Sequence, residues 1–324
     1  MVSQPSVPMA IIKNITYMIK RTLCFSNPAM LSLSNGQLVV KRPSTAKTAQ
    51  TDKPATIPIE DIGIVVLDHQ QITLTHGVLN ALLENNVAVV TCNSRHLPTG
   101  LTLPLDGNTL QCERFHQQIE ASMPLRKQLW QQTVAQKIRN QAAALRQLCQ
   151  AEVGNMLAWS QTVKSGDTDN LEGRAAAYYW SQLFADQPGW TRGQEGDWPN
   201  ALFNYGYAIL RAMMARALVA GGMLPTFGIH HHNRYNAYCL ADDIMEPYRP
   251  YVDMLVMQML PTWPTDTELN TDMKRQLLGL PVADVYIGGQ RSPMMVAIAQ
   301  TATSLYKCYS GELRKIAYPE IALP

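Results

Sequence analysis

Leu31-Ser32-Leu33-Ser34-Asn35-Gly36-Gln37-Leu38-Val39-Val40 decides how the front of this chain folds. Apolar residues alternate with polar ones up to Asn35-Gly36 and resume after it, the pattern of half-buried strands. Asn-Gly accepts the positive φ angles of a two-residue turn, so the run predicts a β-hairpin. Upstream, Thr22-Leu23-Cys24-Phe25 reads as a further strand. Downstream, residues 62–67 (Ile-Gly-Ile-Val-Val-Leu) and 87–90 (Val-Ala-Val-Val) are short, apolar and β-branched, hence buried strands. Residues 75–83 between them read as one short helix. Residues 41–58 carry Lys, Thr, Pro and Ala with almost no large apolar side chain, which predicts a mobile loop spanning a hairpin.

After about Leu110 the period becomes helical. Ile119, Leu125, Leu129, Val134, Ile138, Ala142, Leu145 and Leu148 recur at spacings near three and four, with Pro124 marking a break or bend. Further helices are expected over 171–185, 201–220, 243–260 and 293–310. The stretch 187–200, rich in Gly, Pro and Trp, reads as an exposed connection. The fold class is therefore α+β, a β-rich N-terminal domain followed by a larger all-α domain.

Hydrophobic residues make up 46% of the 324 and charged residues 16%, enough to bury a core and too little charge for long disorder. The net charge of +2 selects no partner by itself. Its distribution is uneven: residues 112–150 hold six basic and two acidic side chains, and residues 201–241 hold three arginines and no acid. Six scattered cysteines without a Cys-x-x-Cys pair indicate buried thiols in a reducing compartment, not a disulfide framework or zinc knuckle. With no secretory signal and no apolar run of membrane-spanning length, a cytoplasmic protein is expected.

The chemistry concentrates in Gly228-Ile229-His230-His231-His232-Asn233 and Asp242-Asp243-Ile244-Met245-Glu246-Pro247. Glu246 lies fifteen residues after His231, so imidazole and carboxylates share one loop-and-helix span. That is a ligand set for Mn²⁺, Mg²⁺ or Zn²⁺. Asp243 and Glu246, three apart, share a face if the segment is helical, although Pro247 biases Glu246 away from helical geometry. The apolar residues around them suggest a buried element, in which acids without a cation are costly. Glu172 follows the cap-rich turn Ser165-Gly166-Asp167-Thr168-Asp169-Asn170 and should fall in the first turn of a helix; the helix dipole alone would also favour an acid there.

These motifs, in order, resemble the Cas-one family, the CRISPR-associated integrase of spacer acquisition, in the form that accompanies type II systems. The resemblance is carried by Ile59-Glu60-Asp61-Ile62, His96-Leu97-Pro98-Thr99-Gly100, Asn170-Leu171-Glu172-Gly173-Arg174-Ala175-Ala176, Asn200-Ala201-Leu202-Phe203-Asn204-Tyr205-Gly206-Tyr207, the histidine run, and Leu240-Ala241-Asp242-Asp243-Ile244-Met245-Glu246-Pro247-Tyr248-Arg249-Pro250. It implies a metal-dependent DNA endonuclease and integrase using Mg²⁺ or Mn²⁺, with Glu172, His231 and Glu246 as catalytic residues and metal ligands. It implies residues 1–17 as an extension, 18–108 as a β-rich dimerisation domain and 109–324 as the helical catalytic domain. Implied partners are double-stranded DNA (protospacer and repeat), a second copy of the chain, the small Cas-two protein, and in type II systems the effector nuclease and an accessory adaptation protein.

Around that triad, Asp243 is a candidate auxiliary ligand, and His230 and His232 would support His231 or meet phosphate as cations. Arg174 and Arg249 are each either ion-pair partners or clamps on a DNA phosphate, and Lys164 is either a solvated lysine or a backbone contact. Asn200 and Asn204, at helical spacing, are candidates to cap or orient site residues. Two other readings compete: a DNA-binding scaffold of the adaptation complex without catalysis, and an unrelated metallohydrolase. Against the second, no His-Glu-x-x-His helix or Gly-rich phosphate loop is present.

Overall fold

The computed structural model describes residues 20–43, 54–187, 189–193, 198–263 and 268–323. Asn35 and Gly36 take φ angles of 49° and 70°, and the chain doubles back as the alternation requires. In chain order the front of the molecule carries β1 (Arg21–Phe25), β2 (Ala29–Ser34), β3 (Gln37–Lys41), β4 (Ala55–Pro58), β5 (Ile62–Leu67), β6 (Ile72–Leu74), α1 (His76–Glu84), β7 (Ala88–Cys92) and β8 (Pro98–Thr102). One sheet runs β4-β3-β2-β6, with Leu31 opposite Val40 and Ser34 opposite Gln37 in the hairpin. The other runs β1-β5-β7-β8, parallel except for the last pair.

The expected loop over 41–58 is partly a strand. Ala55–Pro58 pairs antiparallel with β3, Ile57 opposite Leu38, while residues 44–53 lie outside those described. Thr56 and Ile57 are β-branched, and β4 is an edge strand, where a proline is tolerated. Residues 1–17, read as an extension, also lie outside the described residues.

Helices follow: α2 (Gln111–Ile119), α3 (Met123–Cys149), α4 (Gly154–Thr162), α5 (Leu171–Leu183), α6 (Asn200–Ala220), α7 (Cys239–Met245), α8 (Arg249–Met259), α9 (Thr271–Leu277) and, after β9 (Asp284–Ile287) and β10 (Gln290–Pro293), α10 (Met294–Tyr309) and β11 (Pro319–Glu320). This confirms a β-rich region followed by a helical one, but the second is not wholly helical. Gly288 and Gly289, with φ of 57° and 75°, turn β9 onto β10, and β11 closes a three-stranded antiparallel sheet. The expected single helix over 243–260 is two helices joined by the 3₁₀ turn Glu246–Tyr248, because Pro247 cannot donate to an α-helical ladder. The stretch 187–200 is not fully exposed either, since Trp190 stacks on Phe184 with ring centroids 3.7 Å apart.

Helix α3 is the central element. Ser122 caps it by accepting the Leu125 N–H at 3.3 Å, and Pro124 sits in the first turn, where a missing donor costs nothing. Strands β5 and β7 form a wall between two cores. Ile64, Val66, Ala88 and Val90 face the helices, while Ile62, Val65, Val87 and Val89 pack under the hairpin and α1. A buried ion pair crosses between the two regions, Lys274 Nζ lying 2.9 Å from Asp68 Oδ2. Among the described residues no helix is long and apolar enough to cross a membrane, and all six cysteines are free thiols.

Candidate active site

Glu172 is presented by a carefully capped helix start. Asn170 takes φ of 49° and accepts the Gly173 N–H at 3.3 Å. The Asp167 carboxylate accepts the N–H groups of Leu171 and Glu172 at 2.9 and 3.0 Å. These contacts satisfy first-turn donors of α5 and leave the Glu172 side chain to reach α3. There it pairs with the ammonium of Lys137. Glu246, in the 3₁₀ turn, meets the same ammonium from the other side, Oε2 to Nζ at 2.6 Å.

The other oxygen of Glu246 faces Arg249, Oε1 to Nε at 3.0 Å. Burial by itself would raise the Glu246 pKa, but Arg249 and Lys137 outweigh it and hold the carboxyl below the usual range. Burial likewise opposes the charge on Lys137, and Glu246 and Glu172 override it, keeping the ammonium protonated. Glu246 Oε2 is buried, and the Lys137 ammonium is its close partner.

The histidines sit on a loop folded around one buried acid. Asp243 is 0% exposed and accepts the His230 N–H at 2.9 Å and the His231 N–H at 3.3 Å. Its Oδ1 lies 2.5 Å from His231 Nδ1. A Cβ on Gly228 would lie 2.8 Å from Asp243 Oδ2 and would collide with the His231 carbonyl, so only glycine lets the loop close this tightly. Trp130 on α3 packs both rings: His230 stacks on it at 4.2 Å and 2°, and His231 meets it edge-on at 5.5 Å. The hydrogen bond to Asp243 raises the His231 pKa against its partial burial, with smaller contributions from Glu246 and Glu172. Burial lowers that of His230. Helix α5 and the 3₁₀ turn thus bring Glu172 and Glu246 together on Lys137, and the loop lays His231 against Trp130, about two turns earlier on the same helix.

The remaining expected residues separate. Asp243 touches His231 rather than the carboxylate pair. His232 is exposed. Arg249 is half-buried, paired with Glu246, and its guanidinium lies 4.6 Å from the Tyr207 ring centroid. Arg174 is exposed near Trp159, and Lys164 pairs with Asp169 at 2.8 Å on the surface. Asp242 is held by Arg211 through two contacts at 2.6 and 3.0 Å.

Three groups escaped the sequence reading. Lys137 is one basic residue among six on its stretch, and no local signal marks it as buried between acids. Arg192 donates to the amide oxygens of Asn200 (3.0 Å) and Asn204 (2.6 Å), so those asparagines orient an arginine. Asp253 is buried between Tyr207 and Tyr179, whose hydroxyls donate to it at 2.5 and 3.1 Å. Burial pushes its carboxyl up to about 7, with the tyrosines and Arg249 working against that shift. Lys137, Gln141, Arg192, Tyr207, Glu246 and Asp253 line one cleft of about 230 Å³.

Among the described residues no three His, Cys, Asp or Glu side chains already form a metal cage, and the Lys137 ammonium lies against both Glu172 and Glu246. The donor set still suits a hard divalent ion. Two carboxylates converge on a single cationic atom, and Asp243 engages one nitrogen of the imidazole, which leaves the other for a ligand.

The family described as CRISPR associated protein Cas1 matches residues 23–266. The CRISPR-associated endonuclease Cas1 of Neisseria meningitidis serogroup C (strain 8013) is 33% identical over 308 residues, covering 93% of this chain and 96% of the relative. The fold is similar to a casposase bound to integration product, with TM-score 0.75 and 19% identity over 91% of this chain and 92% of that one. It is also similar to a chain of a Cas6-RT-Cas1--Cas2 complex, with TM-score 0.70 and 21% identity over 91% of this chain and 35% of that one. From its motifs in order, its fold and these relatives, the chain belongs to the Cas1 family of CRISPR-associated proteins.

Proposed function

We propose that this chain is a metal-dependent DNA integrase that inserts foreign DNA fragments into a CRISPR array by 3′-hydroxyl attack on a phosphodiester. The observation that carries the reading is the convergence of Glu172 and Glu246 on one cation, with His231 held by Asp243 against the same helix. Membership of a family whose relatives include an endonuclease, and the likeness to a casposase holding an integration product, support it.

Glu172, His231 and Glu246 would hold Mg²⁺ or Mn²⁺, which when bound stabilises charge developing on the phosphoryl oxygens. The residues of the chain do the positioning. Asp243 fixes the ring of His231, Arg249 restrains Glu246, and Trp130 keeps the histidine loop against α3. Arg174 and Lys164, both exposed, would meet the DNA backbone through phosphates, a mode of binding that weakens with salt. The attacking hydroxyl forms one phosphodiester as the strand's own 3′-oxygen leaves another, so no covalent enzyme intermediate is needed.

We infer as partners duplex DNA, a second copy of the chain and a Cas2 protein; the structural neighbour from the Cas6-RT-Cas1--Cas2 complex supports the last of these. A type II effector nuclease and an accessory adaptation protein complete the expected assembly, in the cytoplasm. The test is strand joining of a short duplex into a repeat-containing plasmid with Mg²⁺ or Mn²⁺. Glu246→Ala should abolish product while leaving the protein folded, and product at the wild-type level would remove the proposed site.

A further inference from the structure

Lys137 occupies the position of a cation. Its side chain is 8% exposed, on the middle of α3, and its ammonium touches carboxylates from two separate elements, α5 and the 3₁₀ turn. Without it, two acids facing each other in a largely buried cleft would repel, and Glu172 would have no ion-pair partner among the described residues. With it, Glu172 and Glu246 are balanced by Lys137 and Arg249, and the cluster is formally neutral. Adding a divalent ion while the ammonium stays in place would crowd three positive charges into the same space.

We propose that Lys137 is a resident counter-cation that holds Glu172 and Glu246 in ligand positions when no divalent ion is bound, and that the metal enters by displacing its ammonium. This rests on the metal-dependent reading above. Four flexible methylenes let the ammonium withdraw toward the cleft shared with Gln141 and Arg192 without moving α3. Lys137 is thus a positioning residue for the carboxylates and a competitor of the metal. Because every binding event must first break its ion pairs, affinity for the divalent ion in the absence of DNA is weaker than the donor set alone would give.

The experiment measures Mn²⁺ binding to the full chain without DNA, by the electron paramagnetic resonance signal of free Mn²⁺. Lys137→Met, which removes the charge and keeps the length, should bind Mn²⁺ at least tenfold more tightly than wild type. Lys137→Arg, which keeps the charge, should stay near wild type. Unchanged or weaker binding by Lys137→Met overturns the proposal while leaving the metal site standing, provided Glu246→Gln weakens binding to the wild-type chain. If Glu246→Gln has no effect, the metal is not at these carboxylates, and the function reading falls together with the inference. Should Lys137→Met fail to fold, nuclear magnetic resonance of ¹⁵N-lysine-labelled wild type decides. Saturating Mg²⁺ must shift the buried ammonium signal assigned through Lys137→Arg, and an unmoved signal refutes displacement.

Discussion

Replacing Asp243 by asparagine tests how the histidine loop is held. The ionised carboxylate only accepts hydrogen bonds, and it faces three donors: two backbone N–H groups at 2.9 and 3.3 Å and the His231 Nδ1–H at 2.5 Å. An asparagine has one acceptor oxygen, and its amide nitrogen donates. If the NH₂ faces His231, the ring must carry its proton on the other nitrogen, which removes the lone pair a metal requires. If it faces the backbone, two donors oppose each other in a site with 0% exposure. Either way one hydrogen bond to a charged acceptor is lost, about 1.5–3 kcal/mol of stability. Metal affinity should fall roughly 10- to 100-fold, the usual cost of removing an orienting partner of a ligand histidine. The wild-type ring has a raised pKa, so its ion pair with Asp243 contributes stability that is fully present below the unfolded value near 6.5 and is lost as pH rises through the folded one. Mn²⁺ affinity should therefore increase with pH across that window, and Asp243→Asn should displace the increase to lower pH. Urea titration and Mn²⁺ binding at several pH values check both. A variant that loses stability but binds Mn²⁺ within about twofold of wild type would refute the orienting role.

Asp253→Asn should flatten the acid side of the stability profile. The folded carboxyl is pushed up to about 7, so its contribution is fully present below the unfolded value of about 3.9 and disappears as pH rises through 7. Relative to wild type the variant should gain stability between pH 4 and 8, by at most about 4 kcal/mol, since an amide can still pair with both tyrosine hydroxyls; a pH-independent difference would contradict this. Gly206→Ala should destabilise, contrary to the gain of about 1 kcal/mol expected for an alanine inside a helix. The new methyl would lie 2.5 Å from Cγ1 of the buried, β-branched Val252 on α8, and overpacking costs about 1–3 kcal/mol. Adding Val252→Ala should recover part of that loss in urea unfolding, and a Gly206→Ala variant more stable than wild type would show that α8 yields freely.

The sequence signals that read well were local ones. Asn35-Gly36 constrains its own backbone, and the start of α5 follows from Asp167 and Asn170 capping amides only a few residues away. Runs such as Ile62–Leu67, apolar on both faces, announce a strand covered on both sides. What escaped depends on distant parts of the chain. Strand β4 forms because β3 offers it an edge, not because Ala55–Pro58 alternates strongly. Lys137 looks like any lysine on a long helix until α5 and the 3₁₀ turn bring acids to it. The hairpin at Gly288-Gly289 was legible by the same rule as Asn35-Gly36. Pro247 gave a correct local warning whose result, a 3₁₀ turn carrying Glu246, only packing decides.

The two-sided burial of β5 and β7 has a consequence for any attempt to divide the protein. Cutting after β8 would strip the helices of the strand side chains that seal their floor, leaving an oily scar where Ile64, Val66, Ala88 and Val90 had rested. The severed strand piece would carry the matching stripe outward into water. Neither fragment would fold in isolation, and co-expressed halves would have to find each other before either became ordered.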